Sequence, residues 1–506
     1  MCLPADTLPD PGHPVGGLST GGAALGAAPT IGGMPEANRP RVRHRRTAYR
    51  IPATDATSVE RQASTLPDMS TPADPRKTKR RRRLLSGIVV AAGLVAIAGL
   101  AQKAACWDTA WGSPASFARL CYSDMPYLYP RRGLAELTIP FADTTGRFMA
   151  MEYPALAWLI AFATAAATWL LAGRSDLEAR RALPPDAVPA AVNTEAGLYL
   201  LVNGALLVTC VVIGALVLTR WRPQDSPRAA WMWALSPAIL FTGFINWDLL
   251  PALAVLLALF AAHRGRWIWC GVAIGLGVAV KLYPLLLLGP IFVLAVRDRR
   301  WRPFVTSSAA AGASWLAINM PAYLAGPDAW LMFWSFNSAR EADLGSGWQV
   351  LRILGHPFSA RQINLASAAL VAAACLIVLA IGLRVHRRPS LAALGFLVVW
   401  AFLAVNKVYS PQYVLWLLPL AILARPRWRD ILVWQISEVV YFIGVMLYVG
   451  QVTPPPAGID KIYLSTVAIR YAGELWLVGC VLRDLLRSTP ATPASPATAE
   501  RVGLHP

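Results

Sequence analysis

Long apolar runs separated by short polar connectors fill the chain from about residue 84 to residue 482. Thirteen runs are read: 84–101, 153–172, 197–219, 229–246, 248–263, 267–281, 282–296, 303–323, 363–383, 390–405, 412–424, 431–449 and 463–482. A bilayer core takes about 20 apolar residues as a helix. The pattern therefore predicts an all-α, polytopic membrane protein. No short repeat period is visible, which excludes a solenoid. The two halves show no matched broken helices of the kind found in many transporters.

The connectors predict an orientation. Basic residues gather at His263–Arg266, Arg297–Arg300, Arg384–Arg388 and Arg425–Arg427. By the positive-inside rule these connectors are cytoplasmic. A basic run, Arg76 to Arg83, precedes the first apolar segment and holds the N-terminus in the cytoplasm. Residues 102–152, 324–362, 406–411 and 450–462 then lie outside. Two cytoplasmic termini require an even number of crossings, whereas thirteen segments are read. Either 153–172 re-enters without crossing, or 267–296 is one broken helix. The first is preferred, because the second puts two basic loops outside. Either gives twelve crossings, with a structured first outer loop.

Outside the apolar region lie two expected disordered tails, 1–83 and 484–506, rich in Pro, Ala, Ser and Thr. The domain between them is 84–483. An N-terminal signal peptide is not expected, since the first apolar run starts too deep.

Composition supports the membrane reading. Apolar residues make up 56% of 506, and charged residues 15%, against about 25% charged in soluble domains. A disordered chain, a collagen-like chain and an ordinary cytosolic enzyme are excluded. The net charge of +19 belongs to tails and connectors, and no nucleic-acid motif accompanies it. No Walker A loop, dinucleotide fingerprint, His-Glu-x-x-His or CxxC is present. No metal site and no cofactor are expected. Seven cysteines are too scattered for a disulfide framework. Cys106 and Cys121 share one polar loop, which permits a bridge if that loop faces an oxidising compartment.

The outer connectors carry the candidate chemistry. Tyr122-Ser123-Asp124-Met125-Pro126-Tyr127 places an acid among aromatics. Asp124 suits a general base for a sugar hydroxyl, and Tyr127 suits a sugar face. The alternative is a loop Asp satisfied by backbone donors. Glu152 precedes Tyr153-Pro154. It is either a charge at a helix start, with Pro154 in the first turn, or a hydroxyl-binding group. Asn246-Trp247-Asp248 and Lys281-Leu282-Tyr283-Pro284 put ionisable groups inside apolar stretches, where they are costly and usually functional. Lys281 then pairs with Asp248 or holds a lipid phosphate. Phe336–Asp343 and Asn406–Gln412 are later outer connectors. Arg340 and Lys407 suit a phosphodiester clamp, although Arg340 has Glu341 and Asp343 beside it. Arg470 and Glu474 read as an intrahelical pair at i, i+4. Glu438 reads as a lone buried acid.

These residues resemble the integral-membrane GT-C glycosyltransferases. The match is best with actinobacterial members of glycosyltransferase family 87, the polyprenyl-phosphate-mannose-dependent alpha-mannosyltransferases. The resemblance is carried by Cys121–Leu134 (CYSDMPYLYPRRGL), Glu152-Tyr153-Pro154, Asn246–Leu250 (NWDLL), Lys281–Leu285 (KLYPL), Phe336–Asp343 and Asn406–Gln412. It implies an inverting transfer from a polyprenyl-phosphate sugar to a lipid or glycan acceptor on the outer face of the plasma membrane. Asp124 is implied as base, and Lys281, Arg340 and Lys407 as holders of the donor phosphate. Tyr127, Glu152, Asp248, Tyr283, Asn406, Tyr409 and Gln412 are implied around the substrates. The sequence departs from the family pattern at Ser123, where a paired acid is absent. The rival expectations are a transporter or flippase of lipid-linked sugars, and a non-catalytic subunit that kept the fold.

Overall fold

The computed structural model describes residues 75–143, 145–221, 226–455 and 458–487. Among them the regular structure is helical, with no strand. The first helix spans Pro75–Ala101 and the last Lys461–Leu486. Both tail boundaries, expected at 83 and 484, therefore fall inside helices. The remainder of each expected tail lies outside the described residues.

Most apolar runs became the helices they predict. Ala155–Leu171, Asn193–Thr219, Leu249–His263, Trp267–Val280, Arg302–Ala325, Ala360–Arg384, Leu391–Val405, Val414–Ala424 and Trp428–Val449 follow in order. Two runs are interrupted. The run 229–246 is split into Ser226–Ala234 and Pro237–Thr242, because Pro237 has no N–H for a continuing helix. Ser236 caps the second piece through the Ile239 amide and donates its hydroxyl to Gln435. The run 282–296 opens as a 3-10 turn, Tyr283–Leu287, before Leu288–Asp298. Pro284 lies in the first turn and has no N–H for the Val280 carbonyl, and Lys281 after that residue is extended. Helix 267–280 thus stops at Lys281, and the expectation of one continuous broken span over 267–296 gives way to two separate helices.

Among the described residues five helices are long and apolar enough to cross a bilayer: Arg83–Cys106, Asn193–Thr219, Ala360–Arg384, Trp428–Val449 and Lys461–Leu486. Ala155–Leu171, Leu249–His263, Trp267–Val280, Leu391–Val405 and Pro411–Ala424 are shorter apolar helices. Many large side chains face outward, among them Leu365, Leu370, Leu376 and Ile377 of Ala360–Arg384. Water tolerates such continuous apolar surface poorly, whereas lipid matches it. This is a multi-pass membrane protein.

Contacts sort the connections into two ends. At one end Asp124 donates its amide to the Ile245 carbonyl, 2.7 Å, and Asp343 donates its amide to Lys407, 2.8 Å. The segment after Ala155–Leu171 packs on the loop that precedes that helix. Arg180 donates to the Ala135 carbonyl, 2.6 Å, Arg147 to Leu183, 2.6 Å, and Tyr129 to Glu195. At the other end Arg264 donates to Arg220, Arg297 to Gly382 and Val385, and Arg388 to Asp298. Arg425 there bridges Asp430 and Asp484. Residues on the two sides of Ala155–Leu171 therefore meet at one end, as the re-entrant alternative requires.

The last two helices hold a buried ionic cluster. Arg470 donates to Glu474, 2.9 Å, and to the Gly345 carbonyl, 3.0 Å. Its guanidinium stacks over Tyr409, 3.7 Å, and Tyr471, 4.0 Å. Glu438 is not alone as expected: it accepts from Tyr409, 3.0 Å, and Trp434, 3.0 Å. Trp400 donates to Glu474, 3.2 Å. Removing one member of a buried pair strands the other charge and costs about 3–5 kcal/mol. Arg470→Met is expected to lower the thermal midpoint in detergent by many degrees, and Ile469→Met, at an exposed neighbour, to leave it in place. Equal midpoints would remove the cluster from any structural role.

Candidate active site

Asp124 opens the short helix Asp124–Arg131 and is buried. Its amide is held by Ile245, and Ser123 donates its hydroxyl to the same carbonyl, 3.1 Å. The carboxylate is oriented by side chains. Tyr122 donates to Oδ1 at 2.7 Å. Tyr153 and Asn246 donate to Oδ2, each at 3.2 Å. The loop that carries Asp124 is thus stitched to the 243–248 connection, which the sequence separates by more than a hundred residues. Cys106 and Cys121 form a disulfide, Cα–Cα 5.6 Å, that closes the loop ahead of Asp124.

Lys281 stands at the interruption between two helices. Its Nζ lies 3.8 Å from Asp248, 4.6 Å from the Tyr153 ring centroid and 5.9 Å from that of Tyr413. Asp248 is fully buried and accepts from the Trp416 indole at 2.6 Å. Trp416 is itself sandwiched by Tyr283, centroids 4.4 Å apart, and Tyr413, 4.0 Å. An ammonium over aromatic faces and near a carboxylate is a cation held in place.

A cavity of about 250 Å³ collects the cations. Lys281, Arg340 and Lys407 all line it, with Glu152, Tyr153, Tyr283, Asn406, Tyr413 and Trp416. The later loops are locked together where they reach it: Asp343 donates its amide to Lys407, and Tyr409 donates its amide to Leu344, 2.9 Å. Gly345 sits in this join at φ +75°, and a Cβ there would strike the Tyr441 hydroxyl and the Tyr409 carbonyl. Arg340 also pairs with Asp343. Lys407 donates to Asn364, 2.7 Å, and to the Ser338 carbonyl, 3.4 Å. Burial, and after it the charge of Arg340, hold the Lys407 ammonium below the ordinary lysine range.

Other expected site residues are placed differently. Glu152 is ion-paired with Arg132, 2.9 Å, rather than set against a helix start, and Pro154 precedes the helix as its cap. Tyr409 is buried away from the cavity and gives its hydroxyl to Glu438. Gln412 is also buried outside the cavity lining, and its amide makes no hydrogen bond among the described residues. Tyr127 lines a different cavity. No group of three or more His, Cys, Asp or Glu suited to a metal occurs among the described residues.

The family model of glycosyltransferase family 87 matches residues 182–411. The matched stretch contains Asp248, Lys281, Arg340 and Lys407, and leaves Asp124 and the last two helices outside. No curated protein matches significantly. Among solved structures, "ArnT from Cupriavidus metallidurans bound to Undecaprenyl phosphate" is similar at 14% identity and TM-score 0.38, covering 79% of this chain and 77% of that one. A likeness this low carries neither fold nor activity.

Sequence reading missed three groups. Tyr153 joins the cation cavity to Asp124. Trp416 holds Asp248. Lys103 is fully buried, lies 5.9 Å from the Phe442 ring centroid and feels the charge of Asp124. A lysine just beyond the first apolar run reads as a boundary residue, so only its folded surroundings expose it.

Arg340 and burial act on Lys407 in the same direction, so removing the guanidinium should relax one of two downward pressures. Arg340→Gln is expected to move the Lys407 titration upward, read from ¹³C-methylated lysine resonances. A titration that stays put or moves down would show that Arg340 is not felt there.

Proposed function

We propose that this chain transfers a sugar, mannose, from polyprenyl phosphate to a hydroxyl of a lipid-linked or cell-wall glycan. One observation carries the reading: the cavity where Lys281, Arg340 and Lys407 meet shares Leu282 and Trp334 with an apolar groove of about 300 Å³. That groove is lined by Gly275, Val278, Leu285, Leu288 and Ala311, with Ser308 as its one hydroxyl-bearing side chain. Adjacent cationic and apolar compartments suit a phosphate carrying a long hydrocarbon.

The reaction follows from that placement. The acceptor oxygen attacks the anomeric carbon as its proton passes to Asp124. The bond from that carbon to the phosphate oxygen breaks on the opposite face, and the configuration inverts. The leaving polyprenyl phosphate gains charge, which Lys281, Arg340 and Lys407 stabilise. Asn406 and Tyr283 serve the donor sugar from the cavity wall. Asp248 acts through Lys281, and Tyr409 through the loop it anchors.

The orientation we propose puts this site on the outer face of the plasma membrane and both termini in the cytoplasm. The connections at the end opposite the site carry Arg264, Arg297, Arg388 and Arg425, in keeping with a cytoplasmic side. The disulfide belongs to the site end, in keeping with an oxidising one. Counting passes between the two ends, with Ala155–Leu171 returning to its own side, gives twelve.

In proteoliposomes supplied with radiolabelled polyprenyl-phosphate-mannose and a lipid acceptor extract, wild type is expected to form a labelled glycolipid. Asp124→Asn is expected to lose turnover at least about a hundredfold with its thermal midpoint kept. Lys281→Met should raise the donor KM as well as lower kcat. Near-normal turnover by Asp124→Asn would overturn the base assignment. Label that crosses the bilayer with no new glycosidic bond would make the chain a transporter.

A further inference from the structure

A second cavity, about 430 Å³, shares no residue with the cation cavity. Small-molecule sites span roughly 300–1,000 Å³, so its size fits a ligand of one or two rings. Its wall mixes two aromatic rings, Trp111 and Tyr127, with Asp108, Asp186, Asn193 and Arg131. The Arg131 guanidinium lies 4.8 Å from the Tyr127 ring centroid, and its Nε is buried without a hydrogen bond among the described residues. Asp108 is paired with Arg119, 2.6 Å, which leaves Asp186 and Arg131 of opposite charge on the wall and favours a neutral ligand. The density of polar groups disfavours a hydrocarbon. Aromatic rings beside carboxylate, amide and guanidinium groups suit a neutral sugar, whose C–H face stacks while its hydroxyls take paired hydrogen bonds.

The cavity is coupled to Asp124 through one side chain. Tyr127 lies one turn after Asp124 on the same helix. Its ring centroid is 6.3 Å from that of Tyr122, whose hydroxyl donates to Asp124 at 2.7 Å. The wall from Asp108 to Trp111 belongs to the loop that the Cys106–Cys121 disulfide closes. Gly112, at φ +88°, ends that wall, and a Cβ there would collide with the Tyr127 ring. Aromatic wall and catalytic helix are thereby held in register.

We propose that this cavity binds a neutral saccharide ring, a sugar of the acceptor glycan next to the reacting one. Only the word acceptor rests on the transferase reading; the saccharide site does not.

The test is saturation-transfer NMR on the full chain in nanodiscs with methyl α-D-mannopyranoside as probe. Wild type should transfer saturation to the sugar ring protons. Asp124→Asn and Lys407→Met should keep the signal. Trp111→Ala should lower it roughly threefold or more, the loss of one stacking contact, and Trp111→Phe should restore most of it. Arg131→Met, at a half-buried position, should lower it with the thermal midpoint unchanged. No signal in wild type, a signal unaffected by both cavity variants, or one lost in Lys407→Met would overturn the proposal. A chain that binds the sugar here yet makes no glycosidic bond sinks the transferase reading and leaves the saccharide site. A working transferase without the sugar signal does the reverse.

Discussion

The arrangement of the site depends on the ion pair between Lys281 and Asp248. Inside a bilayer-embedded helical protein neither charge is tolerated alone, and each is stationed where a helix is interrupted or begins. Trp416 supplies the carboxylate with a second partner, and Tyr153 and Tyr413 supply the ammonium with aromatic faces. Those same side chains make the cavity wall. The pair thus fixes a helix break and fixes the cation-bearing wall with it. Tyr153 extends this arrangement to Asp124, so Asp124 and Lys281 are two ends of one short chain of contacts.

A second principle organises the loops. Polar connections at membrane depth must satisfy their backbone groups internally. The site end does this by pairing connections with one another: Asp124 with Ile245, Asp343 with Lys407, Tyr409 with Leu344. The buried Arg470–Glu474 pair then backs the Gly345 carbonyl from the last helix. Two helices beyond the family match therefore brace residues within it.

Much of this was legible in the sequence, for identifiable reasons. Apolar runs of helical length gave the helices, and Pro237 and Pro284 account for the two runs that broke. Charge placed among apolar or aromatic residues marked Lys281, Arg340 and Lys407 one by one, and the family resemblance implied that they share one phosphate. What escaped reading was pairing over long separations. Tyr153 looked like part of a helix entrance, although its hydroxyl reaches Asp124. Tyr409 looked like a substrate contact, although it serves Glu438. Glu152 looked like a helix-end charge, although Arg132 claims it. Sequence marks which residues are costly to bury; the packing decides which partner relieves the cost.

The backbone join between the 340–346 and 406–410 loops carries a consequence for how such a chain can change. The stretch linking them runs out and back through Ala360–Arg384, whose side chains are largely exposed. The outward positions of that helix are free to exchange one apolar residue for another, since the join rather than that helix sets the spacing of the two cations. A shift of one residue in either loop, by contrast, displaces both charges together. The two cations are inherited as one part, although they are written far apart in the gene.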